Sequence, residues 1–195
     1  MSAPEISPRR ERLEAIHGEI AGCTACPLAL SRTHPVPGEG PPDARVMFVG
    51  EAPGRQEDEQ GRPFVGRAGA LLDELLDEAG FDRSEVFITN IVKCRPSGNR
   101  DPRRAEIGTC LPFLRRQIGV IGPRVIAPLG RVAAETVLSL FDLPVLRIGE
   151  CHGRIFRTGT GVAIVPLYHP AAASYNRSLL PGMFEDIRAV RQEEK

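Results

Sequence analysis

The stretch ARVMFVGEAPGRQEDEQGRPFVGRAGALLDELLDEAG (residues 44–80) decides the fold. Its first seven residues are a short apolar run bounded by turn residues, the pattern of a strand buried on both faces. Its last thirteen place Leu71, Leu72, Leu75, Leu76 and Ala79 on one helical face and close on Gly80. Between them lies a glycine-rich loop of the kind that often cradles phosphate behind a strand. This loop instead carries Glu51, Glu57, Asp58 and Glu59 and has no lysine.

Outward from that unit the same alternation repeats. Residues 9–21 have helical spacing through Leu13, Ile16 and Ile20. EVFITN (85–90) reads as a second strand, and a helix is expected from about Arg103 to Ile121, with Pro112 as a candidate break. RVIAPLG (124–130) is a third strand leading into the helix VAAETVLSLF. Residues 144–157 read as a hairpin or two short strands, GVAIVPLYHP (161–170) as a fourth main strand, and about 181–190 as a closing helix. Apolar strands alternating with helices predict an α/β sandwich on a mainly parallel sheet of about four strands. No internal repeat interrupts it, so 1–195 is taken as one domain, with 1–22 as a helical lead-in.

A chain of 195 residues with 42% hydrophobic content suffices for one substantial core. The first 18 residues are polar and no long apolar span follows, so a cytoplasmic protein without membrane association is expected. Formal net charge is zero, which gives whole-chain electrostatics no reason to favour nucleic acid. Of the basic residues all but Lys93 and Lys195 are arginine, a planar donor fork suited to phosphate or simply the mark of a GC-rich gene. The local cluster Lys93, Arg95, Arg100, Arg103 and Arg104 faces only Asp101, in a loop rich in Pro, Gly and Asn. Such a cluster suits a phosphate backbone even on a neutral protein.

Chemistry-bearing side chains stand where the strands stop. The first strand ends at Gly50-Glu51, the second at Asn90, the third at Gly130 and the fourth at His169-Pro170. In a parallel sheet these ends share one edge, where open α/β proteins bind their ligands. Singly, Glu51 reads as a helix cap, Asn90 as a loop former and His169 as a core histidine; together they read as a site. GEAPGRQEDEQG matches neither G-x-x-x-x-G-K-[ST] nor G-x-G-x-x-G, and its carboxylates repel phosphate. A neutral hydrogen-bonding ligand fits better. Phe64 is either its stacking surface or an ordinary core residue.

Five cysteines remain: Cys23, Cys26, Cys94, Cys110 and Cys151. A disulfide framework is out of place in a cytosolic chain of this size, and Cys23-x-x-Cys26 follows a helix rather than opening one, unlike a thioredoxin-type pair. Four thiolates suit tetrahedral zinc or a [4Fe–4S] cluster. The separation of Cys94 from Cys110 favours the cluster, leaving Cys151 as a buried spare.

The order CTACPLA, VGEAPGRQEDEQGRPFVGRAG, ITNIVKCRP, a lone Cys110 and YHPAA resembles a family 4 uracil-DNA glycosylase, from the iron–sulfur branch of that superfamily. The resemblance runs from Cys23 to the closing helix. It implies a three-layer α/β/α sandwich, a monomer, and excision of uracil from double- or single-stranded DNA by hydrolysis of the N-glycosidic bond of a flipped-out deoxyuridine. It implies a [4Fe–4S] cluster on Cys23, Cys26, Cys94 and Cys110. Asn90 would read the uracil edge, Phe64 would stack on the base, and backbone at Glu51 and Ala52 would touch it. His169 would donate to uracil O2, Glu57 would exclude the thymine methyl, and Glu51 would support the sugar cation. Arg95, Arg100, Arg103 and Arg177 are candidate DNA contacts, and Tyr175 or Leu179 the minor-groove wedge. Family 5 enzymes carry a GLAPA-like loop instead, and the covalently trapping relatives carry a histidine where CRPSGNRDPRRAE has none. Turnover is therefore expected. The competing expectations are a non-enzymatic iron–sulfur module for DNA binding or electron transfer, and a zinc-stapled nucleotide hydrolase.

Overall fold

Strand β1 (Val46–Gly50) is buried along its whole length, as its unbroken apolar run requires. It pairs in parallel with β2 (Phe87–Asn90) on one side and β3 (Val125–Pro128) on the other. The computed structural model describes residues 7–194; residues 1–6 of the expected lead-in, and Lys195, lie outside the described residues. Beyond β3 the sheet continues through β5 (Ala163–Ile164) to β4 (Phe156–Arg157), giving the order β2-β1-β3-β5-β4. Only the β4–β5 edge is antiparallel.

The two faces of the sheet bury separate cores. Met47 and Val49 of β1 face α1 (Pro8–Gly22), α4 (Arg104–Ile121) and α5 (Arg131–Leu140), through Leu13, Ile16 and Ile20, Leu114, and Val137. Val46 and Phe48 face α3 (Arg67–Glu78) and α8 (Leu180–Glu194), through Leu72, Leu75 and Leu76, and Ile187. Alternate residues of one strand thus serve opposite layers, and the result is the expected α/β/α sandwich. Three short helices, α2 (Arg55–Gln60), α6 (Ile148–Cys151) and α7 (Ala172–Tyr175), decorate the connections.

Two local expectations need correction. The sheet has five strands beside the expected four or so, the extra one being β4 at the end of residues 144–157, a stretch that forms neither a hairpin nor two strands of its own. Residues 148–151 turn helical, and β4 pairs forward with β5 across Thr158–Gly161, where Thr158 N–H donates to Val162 O and Gly161 N–H to Thr158 O. Helix α4 also runs unbroken through Pro112. The carbonyl that loses its donor belongs to Gly108, which is exposed and has no side chain to collide with the ring.

The strand order sets the site. From β1 the chain leaves towards β2, and from β3 it leaves towards β5, so the carboxyl ends of β1 and β3 flank the switch point at which such sheets open a crevice.

Candidate active site

One cavity of about 400 Å³ opens at those strand ends. Its lining includes all six residues expected to meet a base: Glu51, Ala52, Glu57, Phe64, Asn90 and His169. Close backbone approach builds it. A Cβ on Gly50 would lie 2.3 Å from Asn90 Oδ1 and 2.7 Å from the tip of the Phe64 ring, so only glycine lets both side chains close over the end of β1. Gly130, at φ +87°, lets the His169 segment pass 2.9 Å from where its own Cβ would stand.

Asn90 is 2% exposed, yet none of the hydrogen bonds among the described residues uses its side-chain amide. A buried carboxamide in that condition faces the cavity with both its donor and its acceptor available. Phe64 holds a left-handed backbone (φ 51°), rare for a bulky residue. Its ring lies 5.8 Å from that of His169 at 31°, and the two form one wall.

The histidine has a defined tautomer. His169 Nδ1 accepts the N–H of Ala171 at 3.1 Å, which leaves the proton on Nε2 as a donor. Burial pulls its pKa down to about 4, only partly opposed by Glu57, so the ring is neutral at pH 7. Glu51 moves the other way. Burial first, and then the neighbouring Asp101, push its carboxyl up to about 7 against the pull of Arg131. The two groups are set apart in the direction that acid–base chemistry uses.

The acidic loop is a wall rather than a cradle. It coils into α2, and Glu57 Oε1 accepts the N–H groups of Val65 (3.0 Å) and Gly66 (2.9 Å), pinning GRPFVG beside the cavity. Asp58 is buried and accepts the N–H of Thr33, while the N–H of His34 donates to its carbonyl. The segment behind the first cysteine pair is thereby tied to the same loop.

Four of the cysteines lie together. Cys23 and Cys26 follow the end of α1, Cys94 follows β2, Cys110 lies on α4, and all four border one small cavity. Two donors are aimed at its sulfurs: Arg32 Nη1 to Cys94 Sγ (3.0 Å) and the N–H of Lys93 to Cys110 Sγ (3.3 Å). Among the described residues no set of three or more His, Cys, Asp or Glu side chains is arranged to hold a single metal ion. Cys151 stands apart, fully buried, its Sγ 3.8 Å from Leu146 O.

The basic loop divides. Lys93, read from the sequence as part of a surface cluster, is only 1% exposed. Its ammonium donates inward to Thr89 Oγ1 (2.6 Å), Asn90 O (2.8 Å) and Gln117 Oε1 (2.7 Å), so it is an internal tie and no DNA contact. Arg100 borders the cavity while gripping Glu106 with two nitrogens (2.9 and 2.7 Å), a grip that holds the Glu106 carboxyl down at about 2. Arg95 donates to Asn99, and the N–H of Arg103 to Glu106. Tyr175 stands on the cavity rim, 93% exposed. Leu179 packs against the core, and Arg177 is exposed on the turn between them. Sequence reasoning missed Arg32, Gln117 and the placement of Asp101 beside Glu51, none of which has a local motif.

A profile of the uracil DNA glycosylase superfamily matches residues 37–191. A type-4 uracil-DNA glycosylase of Thermotoga maritima is 47% identical over 94% of this chain and 95% of its own length. One from Archaeoglobus fulgidus is 44% identical over 92% of each. A type-5 uracil-DNA glycosylase of Thermus thermophilus is more distant, at 34% over 69% of this chain and 68% of its own.

Proposed function

The chain belongs to the uracil DNA glycosylase superfamily, and on that premise we propose how its cavity works. The protein excises uracil from DNA, hydrolysing the bond between uracil N1 and deoxyribose C1′. Its products are free uracil and an abasic site. The observation that carries the assignment of roles is the buried Asn90 carboxamide, open to the cavity beside a neutral His169.

A deoxyuridine turned out of the helix enters between Phe64 and the Glu51–Ala52 backbone. Flipping costs a few kcal/mol and is easiest at a mismatch. Asn90 accepts from uracil N3–H and donates to O4, an amide pair that cytosine cannot match. Glu57, held by two backbone N–H groups, closes the space at C5 against a methyl group. As the C1′–N1 bond breaks, its electron pair stays on uracil and charge collects on O2. His169 Nε2–H donates there. Water adds to C1′ and releases its proton towards the Glu51 carboxylate, whose negative charge also favours the sugar cation. Tyr175, exposed on the rim, is the wedge that fills the vacated stack. Arg177 and Arg95 supply phosphate contacts beside it, with Arg103 at the start of α4.

The donor set fits a [4Fe–4S] cluster: four thiols from three separate segments around one cavity, with Arg32 and a backbone N–H directed at two of the sulfurs. When bound, that group supplies a crosslink between segments and a potential electron store. Cys23, Cys26, Cys94 and Cys110 would hold it, and the crosslink accounts for their placement. Among the described residues no helix is long and apolar enough to cross a membrane.

The test is direct. A sealed duplex carrying one uracil, treated with the protein and then hot alkali, breaks at the uracil; an intact strand with cluster-loaded protein rules the assignment out. The pH profile tests Glu51. Because its carboxylate is the working form and its pKa is about 7, the single-turnover rate climbs as pH rises through 7 and levels off above it. Glu51→Gln flattens that limb at a low rate. Stability moves oppositely. A carboxyl whose pKa is raised on folding adds stability below its unfolded value that is lost as pH rises through the folded one. At pH 8 Glu51→Gln therefore melts higher than wild type, an exchange of stability for activity. An unaltered acid limb in Glu51→Gln would remove Glu51 from the mechanism.

A further inference from the structure

Lysine is almost never fully buried unless its charge is paired, and a leucine or methionine would fill the same core space at less cost. Lys93 is nevertheless interior, and every polar atom it owns is used. Its ammonium meets three acceptors, on Thr89, Asn90 and Gln117. Its N–H donates to Cys110 Sγ, and its carbonyl accepts the N–H of Val36 at 2.7 Å. Thr89 Oγ1 and Gln117 Nε2 both donate in turn to Pro37 O (2.9 and 2.8 Å). One residue therefore joins the end of β2, the middle of α4 and the 36–37 segment, directly beside two of the four converging thiols.

Asn90 needs such a tie. Its side-chain amide makes no hydrogen bond among the described residues, so its aim is set by backbone placement and by packing against Gly50 and Phe64. Asn90 is the last residue of β2, and its buried carbonyl must find a donor. Lys93 Nζ supplies it.

We propose that Lys93 is a positioning residue for base reading: it fixes the Asn90 backbone to the cysteine-bearing loop and α4, and so couples the order of that loop to the aim of the Asn90 carboxamide. The inference rests on the base-reading role of Asn90 given above. It predicts a defect in chemistry that travels through Asn90 and leaves metal content and DNA affinity in place.

Lys93→Met keeps the unbranched stem of the side chain and removes the ammonium. Iron per chain and visible absorption stay at wild-type values, affinity for abasic-site DNA stays within about twofold, and the single-turnover rate of uracil release falls about tenfold. In an Asn90→Ala background the same substitution lowers the rate by less than about twofold, since two residues acting through one contact are not additive. An unchanged rate, a full tenfold loss added to that of Asn90→Ala, or a loss that vanishes when the rate is expressed per bound iron each overturns the proposal. Should Lys93→Met fail to fold, Thr89→Val removes one of its acceptors with little change of shape. It is expected to cost about threefold with the same non-additivity, and full additivity there overturns the proposal equally. Asn90→Ala alone with wild-type activity would instead remove the base-reading role on which the inference stands.

Discussion

His169→Ala lowers the single-turnover rate of uracil release by about a hundredfold, while the affinity for uracil-containing DNA changes little. The expected size follows from the part assigned to Nε2–H. Deleting one preorganised donor from the place where negative charge collects costs about 10²–10³ in rate in other enzymes. The geometry is of that kind: the Ala171 N–H occupies Nδ1, which fixes the tautomer, and Phe64 buttresses the ring. Because burial holds the His169 pKa near 4, the ring stays neutral across pH 5.5 to 8 and contributes no limb of its own there. An acid limb near pH 7 thus persists, at a lower rate, in His169→Gln and disappears in Glu51→Gln. A wild-type rate in His169→Ala would take the histidine out of the mechanism. Loss of the pH 7 limb in His169→Gln would show that the two titrations had been assigned to the wrong residues.

The cavity wall was legible because its pieces obey local rules. A strand buried on both faces announces itself by an unbroken apolar run, and parallel strands deliver Glu51, Asn90 and His169 to a common edge whatever their order. The strand order was not legible, since ARVMFVG and RVIAPLG carry no mark of which neighbour they take. Residues 144–157 misled because a helix of four residues has no period to read, and the pairing of β4 is set by the Thr158–Gly161 reversal that follows it. Lys93 misled for a different reason. Between Val92 and Arg95 it looks like the start of a basic surface, and what buries it is an acceptor 24 residues away on α4. The acids of the loop were legible as a departure from phosphate binding. That Glu57 spends one oxygen on two backbone N–H groups depends on the left-handed turn at Phe64 and on no spacing in the chain.

Cys110→Ser is expected to abolish the visible iron–sulfur absorption and lower the melting temperature by about 10 °C. A crosslink closing a loop of tens of residues stabilises by about 4 kcal/mol in the chain-entropy account, and in a chain of this size 1 kcal/mol is worth about 2–4 °C. Held in one group, the four thiols would tie the end of α1, the loop after β2 and α4, adding a covalent junction to bonds such as Arg116 to Glu19 between α4 and α1 and Lys93 Nζ to Gln117 Oε1 between the loop and α4. Loosening that junction reaches the cavity, because Pro96, Asn99 and Arg100 border it and Asn90 lies only three residues from Lys93. Uracil release therefore falls with the loss of iron, and proteolysis in the native state begins between residues 23 and 32 or 94 and 100, the segments that the tie holds. Cys151→Ser is the control: its thiol lies outside the set, against Leu146 O, and its iron content stays at the wild-type value. Metal analysis decides the chemistry of the tie, four iron atoms per chain being required for the cluster and one zinc excluding it. Full iron and an unshifted melting temperature in Cys110→Ser would mean that the four thiols converge for some reason other than holding this group.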